Sequence, residues 1–182
     1  MAKLISKTYG EALFELALEE QKQDELFEEA KAVREILKEH ADFEKLMIHP
    51  RISKEEKAQV AEAVFKGRVS REMVGFLMII IEKGRFAELD ETLSYFIDRV
   101  KEEKHIGVAF VTTAIDLDEA TRTKIEKRLL DTTKYETMEM HYKVDSSIIG
   151  GMVIRIGDRV IDSSVTTKLN ELKKQLMKIQ LR

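Results

Sequence analysis

The adjacent glycines Gly150 and Gly151, inside "DSSIIGGMVIRIGDRVID" (145–162), invite a chemical reading first. Glycines beside a strand can cradle a phosphate with their amides. A dinucleotide fingerprint requires G-x-G-x-x-G between a strand and a helix, and a P-loop requires Gly-Lys-Ser/Thr ahead of a helix. Here the pair precedes "MVIRI", which reads as a strand, and no lysine or helix start follows to receive a phosphate. The pair therefore marks a bulge or a close backbone approach. The histidines His40, His49, His105 and His141 are scattered without metal-ligand spacing, and neither H-E-x-x-H nor G-x-S-x-G occurs. Cysteine is absent, which excludes disulfides, thiolate metal sites and cysteine nucleophiles. Acid pairs such as Glu28-Glu29 and Glu102-Glu103 fit solvated faces better than an acid/base pair. The sequence offers no catalytic constellation and calls for no cofactor.

What must position these residues is mostly helix. The 182 residues allow one large domain or two small ones. Charged residues make up 36%, against about a quarter in ordinary domains, which suits amphipathic helices with solvated outer faces. A single proline also favours helix. The net charge of -3 and pI near 5.9 lack the basic footprint of a nucleic-acid binder. The longest apolar run, Met73 to Ile81, holds nine residues, whereas a membrane span needs roughly twenty. The start, "MAKLISKTYGEALFELA", resembles neither a secretory signal nor a transit peptide, so a bacterial origin is expected over an organellar precursor.

From Leu4 to about Glu20, Ile5, Tyr9, Ala12, Leu13 and Leu16 share one helix face, with Phe14 and Leu18 opposite. A helix apolar on two sides is central in a bundle or holds a partner. A second helix over about 24–39 points Leu26, Phe27, Ala30, Val33 and Leu37 inward. A short helical turn follows and breaks at His49-Pro50. Ser53 and Glu56 form a capping box for a fourth helix, which Gly67 ends. Ser70 opens a fifth, apolar nearly all round and so expected to be buried centrally. Phe86 to about Glu103 gives a sixth.

Near residue 105 the period changes from 3.6 to 2, which places a domain boundary there. "IGVAFVTTAI" (106–115) reads as a strand, then a helix runs to about Leu130, and "YETMEMHYKV" alternates as a second strand. Gly157-Asp158 between two apolar runs is a two-residue hairpin signal. It sets Ile156 against Arg159, Arg155 against Val160, and Ile154 against Ile161, the last two on the buried face. Asp162, Ser163 or Ser164 caps a final helix. Its apolar stripe is Val165, Leu169, Leu172, Leu176 and Ile179. The expected fold is α+β: a helical domain over 1–105, then a small α/β domain over 106–182 with a β-hairpin and a long C-terminal helix. The last helix also carries Lys168, Lys173, Lys174, Lys178 and Arg182, a modest basic strip without the aromatic platform of a nucleic-acid groove. A salt-sensitive affinity for DNA would favour a nucleic-acid or generic adaptor role; the same strip suits an acidic protein segment.

Three stretches carry a resemblance. They are "YGEALFELA" near the start, "EKGRF" after the fifth helix, and "VDSSIIGGMVIRIGDRVIDSSVTTKLNEL". Over its whole length the chain resembles the delta subunit of bacterial F-type ATP synthase, called OSCP in mitochondria. The third stretch matches that family's C-terminal signature through Asp145, Gly150, Gly151, Arg155, Gly157, Asp158, Asp162 and Ser164. In the first stretch Gly10 departs from the family pattern, which usually carries alanine there, and glycine costs a helix interior up to ~1 kcal/mol.

The resemblance implies a non-catalytic stator subunit that joins the peripheral stalk to the catalytic head and resists rotor torque. It implies an N-terminal six-helix bundle whose first and fifth helices hold the N-terminal helix of an alpha subunit. By the family match that groove falls near Tyr9, Ala12, Leu13 and Leu16, with Leu77, Met78, Ile80, Ile81 and Lys83. Each of these also reads as plain core, and Phe14 with Leu18 is the alternative outward pair. The C-terminal domain would meet the C-terminal ends of the b subunit dimer. Membrane association would come only through the complex, on the cytoplasmic face of a bacterial plasma membrane. Neither cofactor nor nucleic acid is implied.

Overall fold

The structure is a computed structural model that describes residues 2–180, with side chains described over 4–177. Two compact units divide the chain, Met1–Lys101 and Glu102–Arg182.

The first unit holds α1 (Ala2–Glu19), α2 (Gln23–Glu39), α3 (Ala41–Ile48), α4 (Lys54–Phe65), α5 (Arg71–Glu82) and most of α6 (Leu89–Glu103). In α2, Leu26, Phe27, Ala30, Val33 and Leu37 are all buried, as their spacing on one face demands. The α4 start is a capping box: Glu56 N donates to Ser53 Oγ at 3.2 Å and Ser53 N donates to Glu56 Oε2 at 3.0 Å. Ser70 caps α5, accepting from Met73 N at 3.2 Å. It is itself fastened to α2, because Ser70 N and Oγ donate to the Glu29 carboxylate at 2.6 and 2.7 Å. No sequence spacing announces that bond.

Three details differ from the sequence reading. The sixth helix begins at Leu89, after a 3-10 turn over Phe86–Glu88 that buries Phe86. The fifth is not buried all round: Met73, Phe76, Leu77, Ile80 and Ile81 face the core, whereas Gly75 and Ile79 are exposed. Gly10 is not merely a soft point in α1. A Cβ there would stand 2.5 Å from Tyr95 Cδ1 and 3.1 Å from the Thr92 carbonyl, so glycine lets α6 approach closely.

The second unit is a four-stranded sheet of order β2-β1-β3-β4 with two helices. Strand β1 (Ile106–Thr113) pairs in parallel with β2 (Thr137–Val144). The crossover between them is α7 (Glu119–Thr132), as a parallel pair requires. Strand β3 (Met152–Ile156) lies antiparallel to β1 and forms a hairpin with β4 (Arg159–Asp162). The hairpin register is Ile156 to Arg159, Arg155 to Val160 and Ile154 to Ile161. One sheet face buries Ala109, Val111, Met138, Ile154 and Ile156 with Ile125 and Leu129 of α7. On the other face Phe110 lies between the stacked His141 ring, 4.9 Å away, and the Arg155 guanidinium, 4.8 Å away. Ile161 does not share the burial of Ile154: it is 57% exposed on the edge strand β4, where it lines an open pocket with Leu129, Thr132 and Tyr135. The first strand ends at Thr113, leaving Ile115 exposed. The final helix is α8 (Val165–Gln180).

Candidate functional site

In the first unit, α1 and α5 leave an open groove of about 580 Å³. Tyr9, Ala12, Leu13 and Leu16 line it from α1, and Arg71, Glu72, Gly75, Phe76 and Ile79 from α5. Leu13 and Phe76 are buried and form the floor, while Ala12 and Ile79 are exposed at the surface. Where α1 ends and α5 begins, Lys22 Nζ meets Glu72 Oε1 at 2.7 Å. That hydrogen bond holds the Glu72 carboxyl below the usual glutamate range and raises the Lys22 ammonium. The remaining lining is apolar apart from Arg71 and the Tyr9 hydroxyl, so the groove suits an apolar stripe rather than a charged ligand.

The structure brings together the four α1 residues singled out in the sequence. The five residues named with them on α5, Leu77, Met78, Ile80, Ile81 and Lys83, are not part of the groove lining. Leu77, Ile80 and Ile81 are core residues at 0, 0 and 3% exposure, Met78 is half-buried against that core, and Lys83 is the exposed C-cap of α5. The groove face of α5 is instead the stripe Glu72, Gly75, Phe76 and Ile79, roughly a third of a turn away. A helix apolar nearly all round hides that phase. Phe14 faces inward, with the Arg99 guanidinium 4.8 Å over its ring, and Leu18 remains partly exposed.

In the second unit the glycine-rich stretch builds a junction. Gly151 takes φ +77, and a Cβ there would collide with the Ser163 carbonyl oxygen. Gly150 O accepts from Val165 N at 2.9 Å, and Ser163 donates to Met152 O through both N and Oγ at 2.9 Å. Ser164 Oγ accepts from Thr167 N at 3.2 Å and is therefore the cap of α8. Asp162 accepts from Ser164 N and Thr167 Oγ1, both at 2.8 Å; the amide bond first, then the hydroxyl, holds its carboxyl below the usual range. Asp145 likewise accepts from Ser147 N at 3.0 Å and is held low by Ser147. Thr166 Oγ1 donates to Ser147 O at 3.0 Å. Gly157 and Asp158 make the hairpin turn, with φ +54 at Gly157, and Arg155 lies on the open sheet face. The stretch thus welds the start of α8 to the sheet.

Beyond the weld, α8 leaves Leu169, Leu172 and Leu176 more than half exposed in one stripe, with Met177 beside them. Lys168, Lys173 and Lys174 are exposed too. The side chains of Lys178 and Ile179, and all of Arg182, lie outside the described residues. One residue of this unit escaped sequence reasoning. Ile149 has φ 65 and ψ -42, with Gly150 N donating to Ile148 O at 2.7 Å across it, which is a γ-turn. A β-branched residue there is strained, and this one is 64% exposed.

The family model for the ATP synthase delta (OSCP) subunit matches residues 5–176. The chain belongs to that family. Its delta-subunit relatives include the ATP synthase subunit delta of Lachnoclostridium phytofermentans, 55% identical over 181 residues and 100% of both chains. That of Alkaliphilus oremlandii is 34% identical over 179 residues, 98% of this chain and 99% of the relative. A chain of the Toxoplasma gondii mitochondrial ATP synthase hexamer has the same fold, with a TM-score of 0.76 over 94% of this chain and 97% of that one at 21% identity. The delta/OSCP subunit is a structural, non-catalytic component of the ATP synthase peripheral stalk. Among the described residues, no helix is long and apolar enough to cross a membrane.

Proposed function

We propose that this chain is the stator joint of an F-type ATP synthase, clamping the catalytic head at one unit and the peripheral stalk at the other. The first unit, read as the family's six-helix bundle, holds the N-terminal helix of an alpha subunit in the groove between α1 and α5. The observation that carries this is the groove itself: a buried floor of Leu13 and Phe76 under exposed Ala12 and Ile79, open along two helices. An amphipathic helix covers such a surface with i, i+3, i+4 anchors. No bond is made or broken. The chain only has to remain attached while the rotor turns.

The second unit meets the C-terminal ends of the b subunits. Support comes from α8, whose Leu169, Leu172 and Leu176 form a seam at spacings suited to a partner helix. Lys168 and Lys173 flank the seam, which favours a partner carrying acidic residues. The weld around Gly151 and Asp162 gives α8 a fixed root, so load on the helix passes into the sheet. The complex then places the chain on the cytoplasmic face of a bacterial plasma membrane.

A bridging assay tests the joint as a whole. Immobilised catalytic head lacking this subunit is mixed with a soluble b fragment, with and without the chain. Capture of the b fragment only when the chain is added is the expected result. Equal capture without it, or none with it, overturns the proposal.

A further inference from the structure

Gly75 is a residue for which its own fold supplies no reason. It stands inside α5, where glycine weakens a helix relative to alanine. Gly10 and Gly151 are different: a Cβ at the first would meet Tyr95, and one at the second would strike Ser163. At Gly75 the backbone is ordinary helix, and a Cβ would meet nothing within 4 Å. The position is exposed and lines the groove. Folding alone would therefore favour alanine. What the missing side chain leaves is room in the groove that Gly75 lines together with Ala12, Leu13, Phe76 and Ile79.

We infer that Gly75 is the seat for one bulky apolar side chain of the helix bound in this groove, and so sets how closely that helix approaches. The inference rests on the reading of the groove as a helix-binding site and adds the shape that selects the helix. The fitting partner presents a leucine, isoleucine, methionine or phenylalanine at its centre, packed as a knob into the hole that Gly75 opens. Buried central anchors of this kind carry most of the affinity of an interface. The glycine weakens α5 in the free chain and gains contact only when the partner is present.

The test uses the full chain and two variants, Gly75→Ala and Gly75→Leu. Thermal melting reads the fold. Calorimetric titration reads binding of a synthetic peptide of about twenty residues from the host's alpha-subunit N-terminus. Gly75→Ala is expected to melt roughly 2–6 °C higher than the native chain. It should also bind about tenfold more weakly. In Gly75→Leu the new side chain occupies the seat, and binding should weaken roughly a hundredfold. A native chain that binds while both variants bind as tightly overturns the inference and leaves the groove reading standing. A Gly75→Ala chain that melts lower than native also overturns it, since the fold would then need the glycine. A native chain that is folded yet ignores the peptide overturns the groove reading, and the inference with it.

Discussion

Lys22 Nζ stands 2.7 Å from Glu72 Oε1, tying the turn after α1 to the first turn of α5 at the rim of the groove. The contact lowers the Glu72 pKa and raises that of Lys22. A carboxyl depressed in the folded state contributes stability above its unfolded pKa and loses it as pH falls through the folded one. The lysine contribution is present below its unfolded pKa and disappears as pH rises through the folded one. Glu72→Gln should therefore melt below the native chain at neutral pH, and the gap should close on acidification below about pH 4. Melting curves across that range check it. A gap that persists unchanged in acid would show that the carboxylate charge contributes nothing.

Charge placed in the groove should separate binding from folding. Ala12 is exposed, so Ala12→Glu should leave the melting temperature nearly unchanged and cut affinity for the alpha-subunit peptide. The expected loss is tenfold or more, about 1.4 kcal/mol, because a carboxylate would be desolvated against apolar walls. Ile80 is fully buried, and Ile80→Glu should instead destabilise the unit by roughly 3–5 kcal/mol. Circular dichroism and titration of the two variants distinguish the cases. Reversed behaviour would place the binding face of α5 at Ile80.

Gly151→Val combines a β-branched residue at φ +77 with a collision against the Ser163 carbonyl. A loss of about 2–4 kcal/mol is expected in the second unit. The root of α8 should loosen, so capture of a b fragment should fail while the first unit still binds the alpha-subunit peptide. Unchanged b capture by this variant would contradict the proposed load path.

Gly10→Ala tests a sign. Helix propensity alone predicts a gain of up to ~1 kcal/mol. The Tyr95 ring and the Thr92 carbonyl against that position predict a net loss of about 1–2 kcal/mol from overpacking. Adding Tyr95→Leu should recover part of it, a coupling of about 0.5 kcal/mol or more in a double-mutant cycle. Alanine that simply stabilises the chain would mean that α6 yields at no cost.

Much of this fold is local in origin and so legible in the residues. The Ser53–Glu56 capping box, the alternation of Met138, Met140 and Tyr142, and the Gly157-Asp158 turn with its register all follow from neighbours a few positions apart. Long-range contacts were not legible. Glu29 reaches Ser70 across 41 residues, and Tyr95 excuses Gly10 from across the unit. The rotation of α5 was hidden because its apolar residues cover nearly the whole circumference, so periodicity carries no phase. The clue was Gly75, a helix breaker inside an otherwise strong helix. Ile161 alternates as a core residue should, but alternation cannot tell an edge strand from a central one.

If the groove between α1 and α5 holds the alpha-subunit N-terminus, the purified full chain binds that segment on its own. Calorimetric titration of the chain with the peptide measures this. Saturable one-to-one binding, weakened by Ala12→Glu without loss of fold, is the predicted result. A folded chain that takes up no peptide would mean that this groove does not hold the alpha subunit.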